Sequence, residues 1–188
     1  MTTDAPTRAA GRRATRRRRL ARLATLGAIV GVVLGVGTIT TLTVFPEQSE
    51  QLYGAVQRDV GQFRNDVLHE LPAVELGASG GTSELDRCDH TFTEMLSYET
   101  DGVPPVWAAH NNCGGDVVLP WEIGQQVEVA HDGTTELYVV VDIRVTPKTW
   151  ATTDDLIGIT GDFALQSCFY GENRMRFVGL ARAADAAA

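Results

Sequence analysis

Positive charge is scarce beyond the first 23 residues of this sequence, and no internal repeat is present. Residues 1–23 contain eight Arg and one acid, Asp4, whereas residues 24–188 contain eight basic and 23 acidic side chains, a net charge of −15. The net negative charge of residues 24–188 leaves the Arg-rich tail as the one candidate for nucleic-acid binding. The overall composition therefore hides two parts of opposite charge.

Residues 24–45 lack any charged side chain, and they also lack the Ala-x-Ala cleavage site of a secretory signal peptide. At a rise of about 1.5 Å per residue, a helix of this length spans a hydrocarbon core of about 30 Å. We therefore predict a permanent transmembrane helix rather than a cleaved signal peptide or a twin-Arg signal. The positive-inside rule then predicts a single-pass protein of the cell membrane, with residues 1–23 cytoplasmic and the C-terminal domain extracellular.

The Arg-rich tail needs no nucleic acid to explain it. Its eight Arg set the orientation of the membrane helix, and they would also attract anionic lipid headgroups at the cytoplasmic surface. We therefore predict anionic lipid, and no nucleic acid, as the partner of residues 1–23.

Residues 46–71 show helical periodicity in their apolar positions. Gaps of three and four residues separate Leu52, Val56, Val60, Phe63, Val67 and Leu71, a spacing typical of an amphipathic helix. Because the stripe is one residue wide, we predict a stalk helix that lies on another surface. Residues 72–86 are rich in Gly, Ser and Ala, and this composition predicts a flexible linker.

Residues 87–183 predict a mostly β domain with short helices and a single core, either a small barrel or a sandwich. Alternating residues on both sides of Asp132-Gly133 predict a hairpin. Residues 163–168 and 175–183 predict two further strands. We expect the Ala-rich residues 184–188 to form a frayed C-terminus.

Three cysteines, an odd number, leave at least one thiol without a disulfide partner in an exported monomer. Cys168 ends a predicted strand and is followed within eight residues by Arg174 and Arg176. The thiolate is the nucleophile of cysteine enzymes, which also need a base or acid, typically His, and a donor for the oxyanion. Among the four His, His110 ends the apolar run 104–109 and should emerge at a strand end beside a groove.

The order of these residues resembles that of sortases, the membrane-anchored cysteine transpeptidases of Gram-positive bacteria. Sortases have a Gly-His or Ala-His pair that ends a strand, as Ala109-His110 does here. They also have a T-L-x-T-C strand, then an Asn and an Arg on the next strand. The matching segments are Ala164-Leu165-Gln166-Ser167-Cys168 and Asn173-Arg174-Met175-Arg176. The resemblance covers about residues 103–183 and the N-terminal anchor, and it implies a small sortase-like β-barrel, shortened on its N-terminal side.

The resemblance implies a role for each of three residues. Cys168 would be the nucleophile, His110 the acid that protonates the leaving amine, and Arg176 the clamp on the oxyanion and substrate, with Arg174 as the alternative clamp. The reaction would form a thioester with the sorting-signal peptide of an exported protein, and an amine acceptor would then resolve it. The resemblance implies no cofactor and no metal.

Cys113 leaves several alternatives open. A disulfide with Cys88 would staple the shortened edge, stabilise by about 3 kcal/mol and leave Cys168 free, and we prefer it to a disulfide with Cys168. The spacing His110-x-x-Cys113 also supplies half of a zinc site. Two non-catalytic interpretations remain as well: a sortase-fold module that only binds a peptide or partner, and an unrelated β domain in which His110 and Cys168 lie apart.

Overall fold

A computed structural model describes residues 46–68 and 70–186. The predicted cytoplasmic tail (1–23), the predicted transmembrane helix (24–45) and residues 187–188 lie outside the described residues. Within the described ranges, no helix has both the length and the apolar composition needed to cross a membrane.

Helix α1, Pro46–Leu68, occupies most of the predicted stalk segment. It contacts the rest of the domain at one end: the Tyr53 and Tyr170 rings meet edge to face with centroids 5.5 Å apart, and Gly54 is buried against the Tyr170 ring. The Gly171 N–H also donates to Glu50 Oε2 at 3.0 Å. The residues of the predicted apolar stripe are instead more than half exposed at Leu52, Val56, Val60 and Phe63.

Seven strands in the described residues close into a barrel in the order β1-β2-β3-β6-β7-β5-β4. They are β1 Ala73–Gly80, β2 Phe92–Met95, β3 Val106–Ala108, β4 Gln126–His131, β5 Thr134–Pro147, β6 Phe163–Cys168 and β7 Arg174–Arg182. Three pairs are parallel, β1 with β2, β1 with β4 and β3 with β6. The mostly β architecture predicted from the sequence is confirmed, and of the two predicted forms it is the barrel.

The helices of the barrel domain are short. They are α2 Thr82–Leu85, α3 Ala183–Ala186 and four 3-10 helices at Leu96–Tyr98, Asn111–Cys113, Gly115–Val118 and Thr153–Leu156. The frayed C-terminus predicted for residues 184–188 is wrong for residues 184–186, because these residues belong to helix α3.

The predicted hairpin is confirmed. Strands β4 and β5 pair antiparallel up to His131 opposite Thr134, and the two residues between them, Asp132 and Gly133, have φ angles of 49° and 75°. Positive φ at both central positions is what a type I′ turn requires, and Asp-Gly adopts it at low cost.

The flexible linker predicted for residues 72–86 is wrong, because this segment forms β1 and α2. Strand β1 lies between β2 and β4 and completes the barrel. Its Val74 and Leu76 are buried while Ala73 and Glu75 are exposed, which is the alternation of a strand with one face on a core. The domain therefore begins at Ala73 rather than at residue 87.

Strands β3, β6 and β7 separate two clusters of apolar side chains. The inner cluster fills the barrel and includes Trp107, Leu165 and Val178. The outer cluster comprises Val106, Leu156, Ile159, Ala164 and Phe177, with Tyr98, Val103 and Met175 packed against it. Because consecutive residues of a strand point to opposite faces, each site residue can be assigned to the inner or the outer face by its position.

Candidate active site

Cys168 is the last residue of β6 and lies on the outer face, two positions after Gln166 and four after Ala164 of the outer cluster. Its thiol is free and partly exposed, whereas the other two cysteines are joined in a disulfide. The Gln166 side chain donates from Nε2 to Cys168 Sγ at 3.6 Å. The strand end thus holds the thiol at a fixed position that solvent can reach.

His110 lies at the corresponding end of the neighbouring strand, β3. The two strands run parallel with Ala108 opposite Gln166, and the Ala109 N–H donates to the Gln166 carbonyl at 3.1 Å, one residue further along. The backbone is still extended at His110, with φ −62° and ψ 143°. If this register is continued two residues past the end of β3, His110 is level with Cys168 on a strand about 4.8 Å away, and alternation assigns both residues to the outer face.

Asp86 contacts the His110 ring. Asp86 Oδ1 lies 2.9 Å from His110 Nε2, and both side chains are about half exposed. A protonated imidazole donates to a carboxylate at this distance, which fixes the orientation of the ring. Sequence analysis missed Asp86 because it lies in the segment taken for a linker. No local pattern joins two residues 24 positions apart.

A disulfide joins Cys88 to Cys113, with their Cα atoms 4.9 Å apart. This is the pairing preferred from the sequence. Cys88 follows Asp86 by two residues and Cys113 follows His110 by three, so the bond connects the two segments that carry this pair. It also rules out the zinc site considered at His110-x-x-Cys113, because the Cys113 sulfur is bonded to Cys88. Within the described ranges, no other group of three His, Cys, Asp or Glu is placed to hold a metal.

Arg176, the predicted clamp, lies on the opposite face of the sheet from Cys168. In the antiparallel pairing of β6 and β7, Arg176 stands opposite Ser167, whereas Met175 stands opposite Cys168. The guanidinium donates to the backbone carbonyls of Leu119 and Trp121. Burial lowers the pKa of Arg176, and the nearby charge of Glu122 opposes that shift. The hydrogen-bond partners of the Arg176 guanidinium therefore lie on the inner face of the sheet, and the Cys168 thiol lies on the outer face.

Arg174, the alternative clamp, is also directed away from Cys168. It stands two residues before Arg176 on β7, so alternation gives it the same face as Arg176. Its Nε donates to Glu172 Oε2 at 2.7 Å, and its guanidinium lies over the Phe169 ring, 4.8 Å from the centroid. Neither predicted Arg is on the face that carries His110 and Cys168.

The outer face around Cys168 is apolar and aromatic. Tyr98 packs edge to face on Phe177 with centroids 5.8 Å apart. Burial, and then the charge of a Cys168 thiolate, raise the pKa of Tyr98, so its phenol stays protonated. Across the sheet, Cys168 of β6 stands opposite Met175 of β7, and Met175 stands opposite Thr146 of β5. The buried Oγ1 of Thr146 has no hydrogen-bond partner in the described residues.

The arrangement has the components of acyl transfer by a thiol. The Cys168 thiol can attack a carbonyl carbon, the imidazole of His110 after the neighbouring strand can exchange a proton with the leaving and entering groups, and Asp86 can orient that imidazole. The Gln166 amide is the donor that lies next to the sulfur. Sequence analysis quoted Gln166 only as a letter of the strand motif, although its position two residues before Cys168 on a strand predicts a shared face.

No family model and no curated protein matches this chain. Its structure is similar to those of several solved sortases. They include sortase C2 of the group B Streptococcus pilus island 1, at 19% identity and a TM-score of 0.43 over 60% of this chain and 66% of that chain. Sortase C-1 of Actinomyces oris matches at 22% identity and 0.42 over 60% and 66%, and sortase C of Clostridium perfringens at 18% and 0.40 over 57% and 62%. The chain thus spans less than two thirds of the length of these sortases.

Proposed function

We propose that this chain is a membrane-anchored, sortase-like cysteine transpeptidase that acts on the sorting-signal peptides of exported proteins through a thioester. The observation that carries the proposal is the position of Cys168 and His110 at the same edge of the sheet. The two residues end neighbouring parallel strands on one face of the sheet, and Cys168 keeps a free thiol.

In the first half of the proposed reaction, the Cys168 thiolate attacks the carbonyl carbon of the scissile peptide bond and a C–S bond forms. The carbonyl electron pair moves to oxygen and then returns as the C–N bond breaks. The leaving amine takes that bond's electron pair and a proton from the His110 imidazolium. In the second half, an acceptor amine attacks the thioester carbonyl and gives a proton to His110, and the thiolate leaves.

Asp86 is a positioning residue in this proposal. Its carboxylate lies 2.9 Å from His110 Nε2 and can accept a hydrogen bond that holds the orientation of the ring. The disulfide from Cys88 to Cys113 holds the two segments together, so the contact does not depend on the two half-exposed side chains alone.

The partly buried side chains packed on the outer cluster, Tyr98, Val103 and Met175, would form the apolar wall along which an extended peptide lies. The buried Val106 and Phe177 support that wall from beneath. The proposal also includes the N-terminal anchor: the uncharged length of residues 24–45 and the eight Arg before it support a cytoplasmic tail held near anionic lipid and a catalytic domain outside the cell.

A second candidate function is a non-catalytic module that holds a peptide or protein partner in the cell envelope. The observation that favours it is the position of the two arginines, since both Arg174 and Arg176 lie on the face opposite Cys168. A site without the cation that stabilises the oxyanion in the predicted mechanism would bind a peptide and leave it intact.

The two candidates separate in one experiment. Full-length protein in detergent micelles is mixed with a pool of candidate sorting-signal peptides, and its intact mass is measured before and after hydroxylamine, which cleaves thioesters. The transpeptidase should show an acyl adduct that hydroxylamine removes. The adduct should be absent in Cys168→Ala and much reduced in His110→Ala.

His131→Ala is the matched control for His110→Ala, because the His131 ring packs on Trp107 of the inner cluster. It should leave the adduct unchanged. Peptide binding without any adduct in the wild type would establish the non-catalytic module instead. An adduct that persists in Cys168→Ala would show that the nucleophile is another residue.

A further inference from the structure

Gln166 stands out among the buried polar residues of the barrel because its side chain ends at the candidate nucleophile. Only 7% of the Gln166 surface is exposed to solvent, and its Nε2 donates to Cys168 Sγ at 3.6 Å. Since the two residues are i and i+2 on β6, both lie on the outer face. Among the described residues, Gln166 is the one whose side chain donates a hydrogen bond to this sulfur.

The two arginines that might otherwise serve the site have partners elsewhere. Arg176 donates to two backbone carbonyls on the inner side of the sheet, and Arg174 is paired with Glu172. Met175, the cross-strand neighbour of Cys168, has no N–H or O–H to donate. A thiolate or an oxyanion formed at Cys168 would therefore meet an amide donor where the predicted mechanism has a guanidinium.

We propose that Gln166 is a catalytic residue of this site: its Nε2 donates to the Cys168 sulfur in the resting protein and then to the oxyanion of the tetrahedral intermediate. The inference rests on the proposed transpeptidase function. When the C–S bond forms, the sulfur and the oxyanion are bonded to the same carbon. A donor already beside the sulfur therefore needs only a small reorientation to reach the oxygen that has gained the carbonyl electron pair.

Burial makes this donor effective. An amide that is fixed and shielded from water before the reaction needs little reorientation when charge develops on the oxygen. Removal of one such oxyanion donor lowers the rate by about 10²- to 10³-fold. Gln166 is in the middle of a strand paired on both sides, with β3 and with β7. That pairing fixes its backbone in a way that a loop residue would lack.

The test compares two substitutions of Gln166 in the full-length protein. Gln166→Glu keeps the shape but removes both N–H donors and adds a negative charge, whereas Gln166→Met keeps the length of the side chain but replaces the amide with an apolar group that has no donor. Gln126→Glu, at an exposed position of β4, is the control for added charge. The first readout is the rate at which iodoacetamide alkylates Cys168, which is the single free thiol and needs no substrate.

We expect Gln166→Glu to slow alkylation at least tenfold at pH 7 and Gln166→Met to slow it several-fold, with Gln126→Glu unchanged. The second readout is acyl-adduct formation with the peptide pool and its release by hydroxylamine. Here both Gln166 variants should lose about 10²-fold or more in kcat/KM, mainly in kcat. A urea unfolding curve within the wild-type range for Gln166→Met separates this loss from misfolding.

The outcomes are distinguishable. Wild-type acylation together with full alkylation and acylation in both Gln166 variants would overturn the role of Gln166 and leave the transpeptidase intact. A wild type that forms no acyl adduct overturns the proposed function and the oxyanion role together, while the alkylation rates still decide whether Gln166 serves the thiolate. If Gln166→Met loses activity only in proportion to its stability, Gln166 is a structural residue.

Discussion

Replacement of Arg176 by Met tests whether this residue stabilises the barrel, as its contacts indicate, or acts as the clamp on the oxyanion, as the resemblance implies. The guanidinium donates to the carbonyls of Leu119 and Trp121, which begin the connection from the 3-10 helix Gly115–Val118 to β4. A Met side chain fills a similar volume but donates no hydrogen bond. Arg176→Met therefore leaves two carbonyls on the inner side of the sheet without their partner.

The expected loss can be worked from these contacts. A hydrogen bond from a charged donor contributes about 1.5–3 kcal/mol, so two of them give about 3–6 kcal/mol. Part of this is offset, because burial lowers the pKa of Arg176 and Met carries no such desolvation cost. We expect a net loss of about 2–4 kcal/mol in the free energy of unfolding, which for a domain of this size lowers Tm by roughly 10 °C.

Urea unfolding followed by tryptophan fluorescence measures this loss, since Trp107 and Trp121 are buried in the inner cluster. Arg174→Met is the control. It removes an ion pair whose side chains are about half and one third exposed, so we expect a change below about 1 kcal/mol. If Arg176→Met unfolds at the wild-type urea concentration but no longer forms the acyl adduct, the guanidinium acts at the reaction centre and its assignment to the inner face is wrong.

Four further changes test other parts of the structure. Cys88→Ala should lower the free energy of unfolding by about 3 kcal/mol, because it opens the 25-residue loop; wild-type stability would show that the disulfide is not formed. Asp86→Asn should reduce acylation several-fold with less than about 1 kcal/mol of destabilisation, and equal rates would deny it a role in positioning His110. Tyr170→Phe removes the hydroxyl that lies 2.8 Å from the Asn111 carbonyl and 3.2 Å from Asp116 Oδ2. It should lower the free energy of unfolding by about 1–2 kcal/mol in the same urea assay. A chain of residues 87–188 should fail to give a cooperative unfolding transition, since it lacks β1; a cooperative one would show that the barrel folds without that strand.

The strands predicted correctly are those whose signals are local. The Asp132-Gly133 turn fixes both the type of the hairpin and its register, and the strand predicted at 163–168 coincides with β6. Strand β1 was missed because composition was weighed above alternation. Gly, Ser and Ala dominate residues 77–83, but the buried residues Val74 and Leu76 already alternate before them.

The candidate site was predictable in part for a similar reason. Cys168 was selected because it ends a predicted strand and His110 because it ends an apolar run, and neighbouring parallel strands bring their carboxyl ends together. Asp86 was beyond reach of the sequence, since its contact depends on a barrel strand mistaken for a linker and on a disulfide that brings distant segments together.

Arg176 shows where a motif stops being sufficient. The order Cys, Asn, Arg along the chain says nothing about how many residues the turn after β6 consumes, and a change of one residue in that count moves every side chain of β7 to the other face. Here the turn pairs Cys168 with Met175, so Arg176 stands opposite Ser167. The immediate neighbours of Cys168 on its face are then fixed by register rather than by resemblance, and they are His110 on one side, Met175 on the other and Gln166 along the strand. Chemistry at the thiol begins with these three neighbours, and of them only the imidazole and the amide can donate a proton or a hydrogen bond.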